Sequence, residues 1–158
     1  MDRNLTIEAV RLTEAAALYA SRHMGKGDED LSYYSAAEAM NKVLSTMDID
    51  GEVVIGADSS DTALYDGAQV GIKTGRAVDL AVKPLDGKMT CARGGHNAVS
   101  VAAVGTKGSF MRTPSYYMDK IAVGKDAKNM VDINQPPAIN IKRVARAKGK
   151  YIEDITVC

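Results

Sequence analysis

In the stretch Val82-Lys83-Pro84-Leu85-Asp86-Gly87-Lys88-Met89-Thr90, two ammonium groups flank a Pro-Leu-Asp-Gly frame. The frame reads as a turn closing the apolar strand Val78–Val82. Proline presets φ, aspartate bonds its neighbouring backbone, and glycine accepts positive φ. Carboxylates around such a turn would gather a divalent cation, whereas lysines make it basic. Backbone N–H groups after Gly87, together with Lys83, Lys88 and Arg93, would then suit a phosphate or another anion. In the competing reading the lysines are solvated, or are paired with Asp58, Asp79 or Asp86 in place of a metal.

Other reactive residues carry less chemistry. Cys91 lies near Arg93 and His96, and cations favour a thiolate, yet no Ser/His/Asp or Cys/His constellation accompanies them. His23, at the end of the first helical stretch, complements a helix dipole and is expected to be structural. The run "NIKRVARAKGK" places Lys142, Arg143, Arg146 and Lys148 on or just after a helix. Such a run is either a solvated basic face or a docking site for an acidic protein partner. No residue set calls for a metal or a cofactor, and none is expected.

These residues need elements to hold them. Apolar spacing over Thr6–Met24 predicts a helix with Gly25 as its cap, and "GKGDEDLS" reads as a polar connector. A second helix is expected from about Tyr34 to Met47, capped by Ser32 or Ser35, followed by a strand from Glu52 to Ile55. The segment after Gly56 is turn-rich, with a short helix expected near Ala63. "AVSVAAVG-TKG-SFM" reads as strand, hairpin turn, strand. Helices are expected at Tyr116–Val123 and, after Pro136-Pro137, at Ala138–Ala147, with a last strand beginning in "YIEDITVC". Met40, Met47 and Met118 are placed in the core as packing filler. Helices first, then strands mixed with helices, predict an α/β (mixed α+β) layered domain.

With 46% hydrophobic and 25% charged residues over 158 positions, one folded domain is expected rather than disorder. Twenty basic residues balance twenty acidic ones, so net charge gives no support to nucleic-acid or membrane-surface binding. No apolar run approaches the ~18 residues of a membrane span, and the charged N-terminus lacks the apolar region of a signal peptide. Cys91 and Cys158 show no ligand spacing and read as free thiols in a reducing, cytoplasmic setting.

Six blocks together carry a family resemblance: "RLTEAAALYASRHMGKGD", "AAEAM", "MDIDGEVVIG", "TGRAVDLAVKPLDGKMT", "AVSVAAVGTKGSF" and "YMDKIAVGKDAK". In order and spacing, from Asp2 to Val157, they resemble the class II, bacterial-type fructose-1,6-bisphosphatases. The resemblance implies the layered sugar-phosphatase fold shared with inositol monophosphatases, and a second α/β domain, not contained in this chain, that completes the substrate site. It also implies Mg2+ or Mn2+ held by carboxylates, which activate water and neutralise phosphoryl charge.

At the family's carboxylate positions this chain has Tyr33, Ala57 and Ser59, and Lys83 stands at the first Asp of the Asp-Pro-Ile-Glu-Gly-Thr motif. Lys88 stands at the motif's threonine, and Asp86 alone keeps an acid. The expectation from these positions is a catalytically inactive domain, a pseudoenzyme kept as a structural or accessory subunit that binds a protein partner in the cytoplasm. Two alternatives stand beside it. One is a metal-free phosphosugar or anion binder; the other is a residual fructose-1,6-bisphosphate 1-phosphatase of gluconeogenesis, completed by a partner.

Overall fold

The computed structural model describes residues 3–57, 62–113 and 118–158. The chain is a mixed α/β structure and falls into two compact units, 1–114 and 115–158.

The first unit opens with two long helices, α1 (Arg3–Ser21) and α2 (Glu29–Leu44). Leu12, Ala16 and Ala20 recur every four residues on the buried face of α1 and pack with Ala36, Ala37, Met40 and Leu44 of α2. Small side chains on both helices let the two backbones approach closely. The second helix starts earlier than its apolar pattern suggests. Asp28, rather than Ser32 or Ser35, is its cap, accepting the Leu31 N–H at 2.8 Å. Ser32 lies inside the helix, fully buried, its hydroxyl donating to the Asp28 carbonyl.

Beneath the helices lies a sheet of β1 (Ile49–Ile55), β2 (Gln69–Val70), β3 (Arg76–Asp86) and β4 (Val99–Thr106), in the order β2-β1-β3-β4. β1 and β3 are parallel, and β2 and β4 are added antiparallel at the edges. Ile49, Val53, Val78, Leu80 and Val82 face the helices and share their core, with Ala102 and Val104 packed against it from β4. On the opposite face of β4, Val99 and Val101 are each about half exposed (48% and 49%). Between β1 and β2, Leu64 is fully buried, and among the described residues no helix forms near Ala63.

A buried carboxylate locks the far end of the sheet. Asp79 of β3 is 2% exposed and accepts the N–H groups of Gly108 and Phe110 at 2.8 and 3.2 Å. Lys107 approaches it to 3.6 Å and also pairs with Glu52, the β1 residue beside Asp79 in register, which Arg112 meets as well. This turn ends the pairing. Ser109 closes onto Thr106, and no strand follows Gly108 among the described residues, so the expected second hairpin strand does not form.

In the second unit, α4 (Pro137–Lys148) begins with proline in its first turn and ends on Gly149 in the left-handed conformation, as the sequence suggests. Its buried Asn140 donates to the carbonyls of Asp132 and Gln135 and accepts the Asp132 N–H, organising the 132–140 segment. Residues 118–123 are not helical, residues 116–117 of that expected helix lie outside the described ones, and Met118 is 48% exposed rather than in the core. Ile152–Asp154 forms a single 3-10 turn, not a strand. No helix is long and apolar enough to cross a membrane.

Two outcomes follow from the Asp79–Glu52 cluster. Asp79→Ala leaves two backbone donors without their acceptor and is expected to cost about 2–4 kcal/mol in urea unfolding. Hydrogen bonds from Lys107, then Arg112, hold the Glu52 carboxyl below its ordinary pKa, and the bond to Glu52 holds Lys107 above its own. Glu52 therefore contributes stability above its unfolded pKa, lost as pH falls through the lower folded value. Lys107 contributes below its unfolded pKa and loses this as pH rises through the higher folded value. Urea midpoints followed against pH should show a shallower acid limb in Glu52→Gln; an unchanged limb would contradict the assignment.

Candidate functional site

The parallel pair β1–β3 brings the carboxyl ends of both strands to one edge, the usual place for a ligand site in an α/β sheet. Ile55 pairs with Ala81, so Ala57 and Lys83 are next-but-one beyond the last paired residues of adjacent strands. Two of the sequence-predicted positions are thus neighbours by register. Ser59, with Asp58 and Asp61, lies outside the described residues.

The exit from β1 is fixed by its backbone. The Gly56 N–H donates to Asp66 Oδ1 at 2.6 Å and the Ala57 N–H to the Leu64 carbonyl at 2.8 Å. Asp66 is thereby engaged as a loop clamp. A Cβ at Gly56 would stand 2.1 Å from the Leu64 oxygen, so only glycine fits.

The exit from β3 is shaped by its proline. Lys83-Pro84-Leu85-Asp86 is not the turn expected from sequence but the last part of an eleven-residue strand. The β3–β4 register shifts between Lys83 and Asp86. Pro84, which has no N–H for the ladder, sits in this bulge, and its carbonyl accepts the Ser100 hydroxyl at 2.7 Å. The bulge turns Leu85 into the core while Lys83 and Asp86 are exposed. The turn proper is Gly87 alone, at φ 82° and ψ 43°, leading into the short helix α3 (Lys88–Ala92).

Four ties hold α3 against the end of α1, the connector and the head of α2. The Cys91 and Ala92 carbonyls accept the N–H groups of Gly25 and Gly27 at 2.9 and 2.8 Å. The buried Cys91 thiol lies 3.7 Å from the Ala20 carbonyl. Lys88 Nζ reaches Asp30 Oδ1, in the first turn of α2, at 2.8 Å, and this bond raises the lysine's pKa. Tyr33, one turn further along α2, is half-buried against the core with its ring edge-on to Tyr34.

Of the four residues read as an anion site, Lys83 and Gly87 lie at the strand end and Lys88 is bonded to Asp30. Arg93 closes the opposite end of α3 from Gly87. Lys142, Arg143, Arg146 and Lys148 are all exposed on α4, in no ion pair among the described residues. His23 has its Nδ1 buried without a partner, and His96 is exposed in the loop before β4.

One feature escaped the sequence reading. A cavity of about 260 Å³ lies along α2, lined by Tyr34, Ala37, Glu38 and Asn41 with Thr62 and Ala63. The i, i+4, i+7 spacing of Tyr34, Glu38 and Asn41 was the available signal.

A divalent cation does not suit the described residues of this edge. Among them Asp86 is the single acid at the end of β3, and no group of three or more His, Cys, Asp or Glu side chains gathers. An ammonium ~4 Å from a dication opposes it by about 8 kcal/mol at an effective dielectric of ~20.

Comparison with known proteins fixes the family. The profile described as "Bacterial fructose-1,6-bisphosphatase, glpX-encoded" matches residues 3–158. The chain belongs to this family. Fructose-1,6-bisphosphatase 1 class 2 of Escherichia coli (strain K12) is 44% identical over 159 residues, covering 99% of this chain and 47% of its own length. Fructose-1,6-bisphosphatase class 2 of Haemophilus influenzae is 42% identical over the same span, 48% of its length. The chain thus spans about half the length of the curated relatives it matches.

These relatives correct the expectation of a pseudoenzyme serving as a structural subunit. Proteins named as an enzyme match essentially the whole chain at 42–44% identity. The inactive reading weighed the carboxylates of one half alone, while more than half of each relative's length lies outside the matched region.

Gly56→Ala is expected to cost about 2–4 kcal/mol, since its Cβ meets backbone that cannot swing away. Urea unfolding measures it; a cost below about 0.5 kcal/mol, the range of neutral surface changes, would show that the loop is not clamped there.

Proposed function

We propose that this chain supplies one half of a class II fructose-1,6-bisphosphatase, which hydrolyses the sugar bisphosphate in the cytoplasm once a second polypeptide segment completes the site. The carrying observation is the family match over residues 3–158 against 47% of the relative's length. In the reaction, water adds at phosphorus, the ester P–O bond breaks, and the sugar oxygen leaves with a proton. The exposed apolar residues Val99 and Val101 on the sheet face away from the helices support a second segment packing there. In this reading the exposed Lys83 at the β3 end neutralises phosphoryl charge, and the basic face of α4 adds electrostatic steering toward the protein partner.

Phosphate release from fructose-1,6-bisphosphate tests this. The chain is mixed with the separately expressed C-terminal half of the Escherichia coli relative, in buffer containing Mg2+ or Mn2+. The two should co-elute, and the mixture should release phosphate well above either component alone. Lys83→Ala should raise KM about tenfold, as expected for losing one charged contact. Co-elution without any release would overturn the phosphatase reading, and no co-elution would overturn the completing segment.

A further inference from the structure

We propose that the β3–α3 turn is fastened to the head of α2 by the Lys88 ammonium on Asp30, an internal cation standing where the resemblance implies a divalent one. This turn accordingly binds no metal. The inference rests on family membership and on the residues present, and it holds whether or not the completed protein hydrolyses the bisphosphate.

The two elements joined by the pair are the ones that the family's carboxylates would bridge through a cation. Asp30 lies in the first turn of α2, just before Tyr33, and Lys88 opens α3 directly after Gly87. Lys88 Nζ and Asp30 Oδ1 are 2.8 Å apart, a charge-assisted distance, although the two are 58 residues apart in sequence. Both side chains are partly solvated (50% and 70% exposed), so the pair by itself contributes little. It does not act alone. The Gly25 and Gly27 N–H groups already bind the carboxyl end of α3.

With the helix held at its far end by backbone bonds, the lysine has only to fix the near end. A dication placed between Asp86 and the α2 head would meet this ammonium, and Lys83 at the end of the same strand opposes it as well. The nearest acid in the loop after β1 that the structure describes, Asp66, is engaged by the Gly56 N–H. The lysines at the strand end and at the start of α3 thus stand against a bound cation, while the Lys88–Asp30 pair ties the two elements together.

The test uses the full chain and Mn2+ as probe, with binding read from the free-ion electron paramagnetic resonance signal and stability from melting temperature. Millimolar Mn2+ should show no saturable binding and no rise in melting temperature that depends on Asp86 or Asp30. Lys88→Ala and Asp30→Ala should each lower it by about 1–3 °C, and the double variant by no more than either alone. Saturable Mn2+ binding that disappears in Asp86→Asn or Asp30→Asn would overturn the proposal, as would strictly additive effects of the two alanine variants. Binding untouched by both asparagine variants would place the ion elsewhere and leave the turn metal-free, in agreement with the proposal. None of these readouts uses the sugar substrate, so they separate from the phosphatase experiment.

Discussion

Asp79 is the constraint on which the sheet depends. A carboxylate at 2% exposure is tolerable only when its oxygens are occupied, and here two backbone N–H groups and Lys107 occupy them. All three donors come from the turn just after β4, so satisfying the charge also fixes where β4 must end. The ladder from Val78–Thr106 to Lys83–Val101 then has one register. A slip by one residue would carry Ala102 and Val104 off the core and pull the turn away from its buried acid. Glu52, beside Asp79 on β1, extends the same cluster to the neighbouring strand through Lys107 and Arg112.

From that anchored end, consequences run along β3 to the opposite edge. The strand keeps strict alternation through Val82, so Lys83 is outward by the same phase that makes Asp79 outward from the helices. Pro84 then breaks the ladder, and Leu85 takes a core position that alternation from Val82 would not give it. The bulge is thus the device that delivers Asp86, Gly87 and Lys88 to the head of α2. The buried Leu85 and the four ties of α3 hold the edge, so its charged groups are presented on a frame built largely from backbone bonds and packing.

How much of this was legible in the sequence depended on whether local signals sufficed. The last helix was readable because Pro136-Pro137 and Gly149 are local punctuation and nothing distant competes. The start of α2 was not, because Asp28 caps a first turn made of charged residues that look like a connector by composition. The strand expected after Gly108 failed for a non-local reason. The Gly108 and Phe110 N–H groups bond to a carboxylate 29 and 31 residues away, which removes them from any ladder. At the site, the pairing of Lys88 was foreseen in kind but with the wrong acid. Asp30, across the fold, wins over Asp86, its neighbour in sequence. The loop between Gly56 and Leu64 likewise shows no simple pattern, since the Gly56 requirement comes from the approach of Leu64.

The mistaken step was to read inactivity from the carboxylates of a chain that spans 47–48% of its relatives' length. Replacing a carboxylate by a lysine removes a metal ligand, but it also supplies a fixed positive charge, and neutralising a phosphoryl group requires positive charge wherever it resides. Where a site draws on more sequence than one segment holds, that charge can reside in either part, and composition along one segment cannot reveal the sum. What the residues of one segment do determine is the local sign of the field and the rigidity of the frame that carries it. In this chain the β3 end presents Lys83 and Asp86, with Lys88 paired to Asp30, and the frame is held by Pro84, Gly87 and the Lys88–Asp30 bond. A completing segment that faced this edge would therefore have to be acidic if it brought a cation, and could remain neutral or basic if the phosphate met the lysine directly.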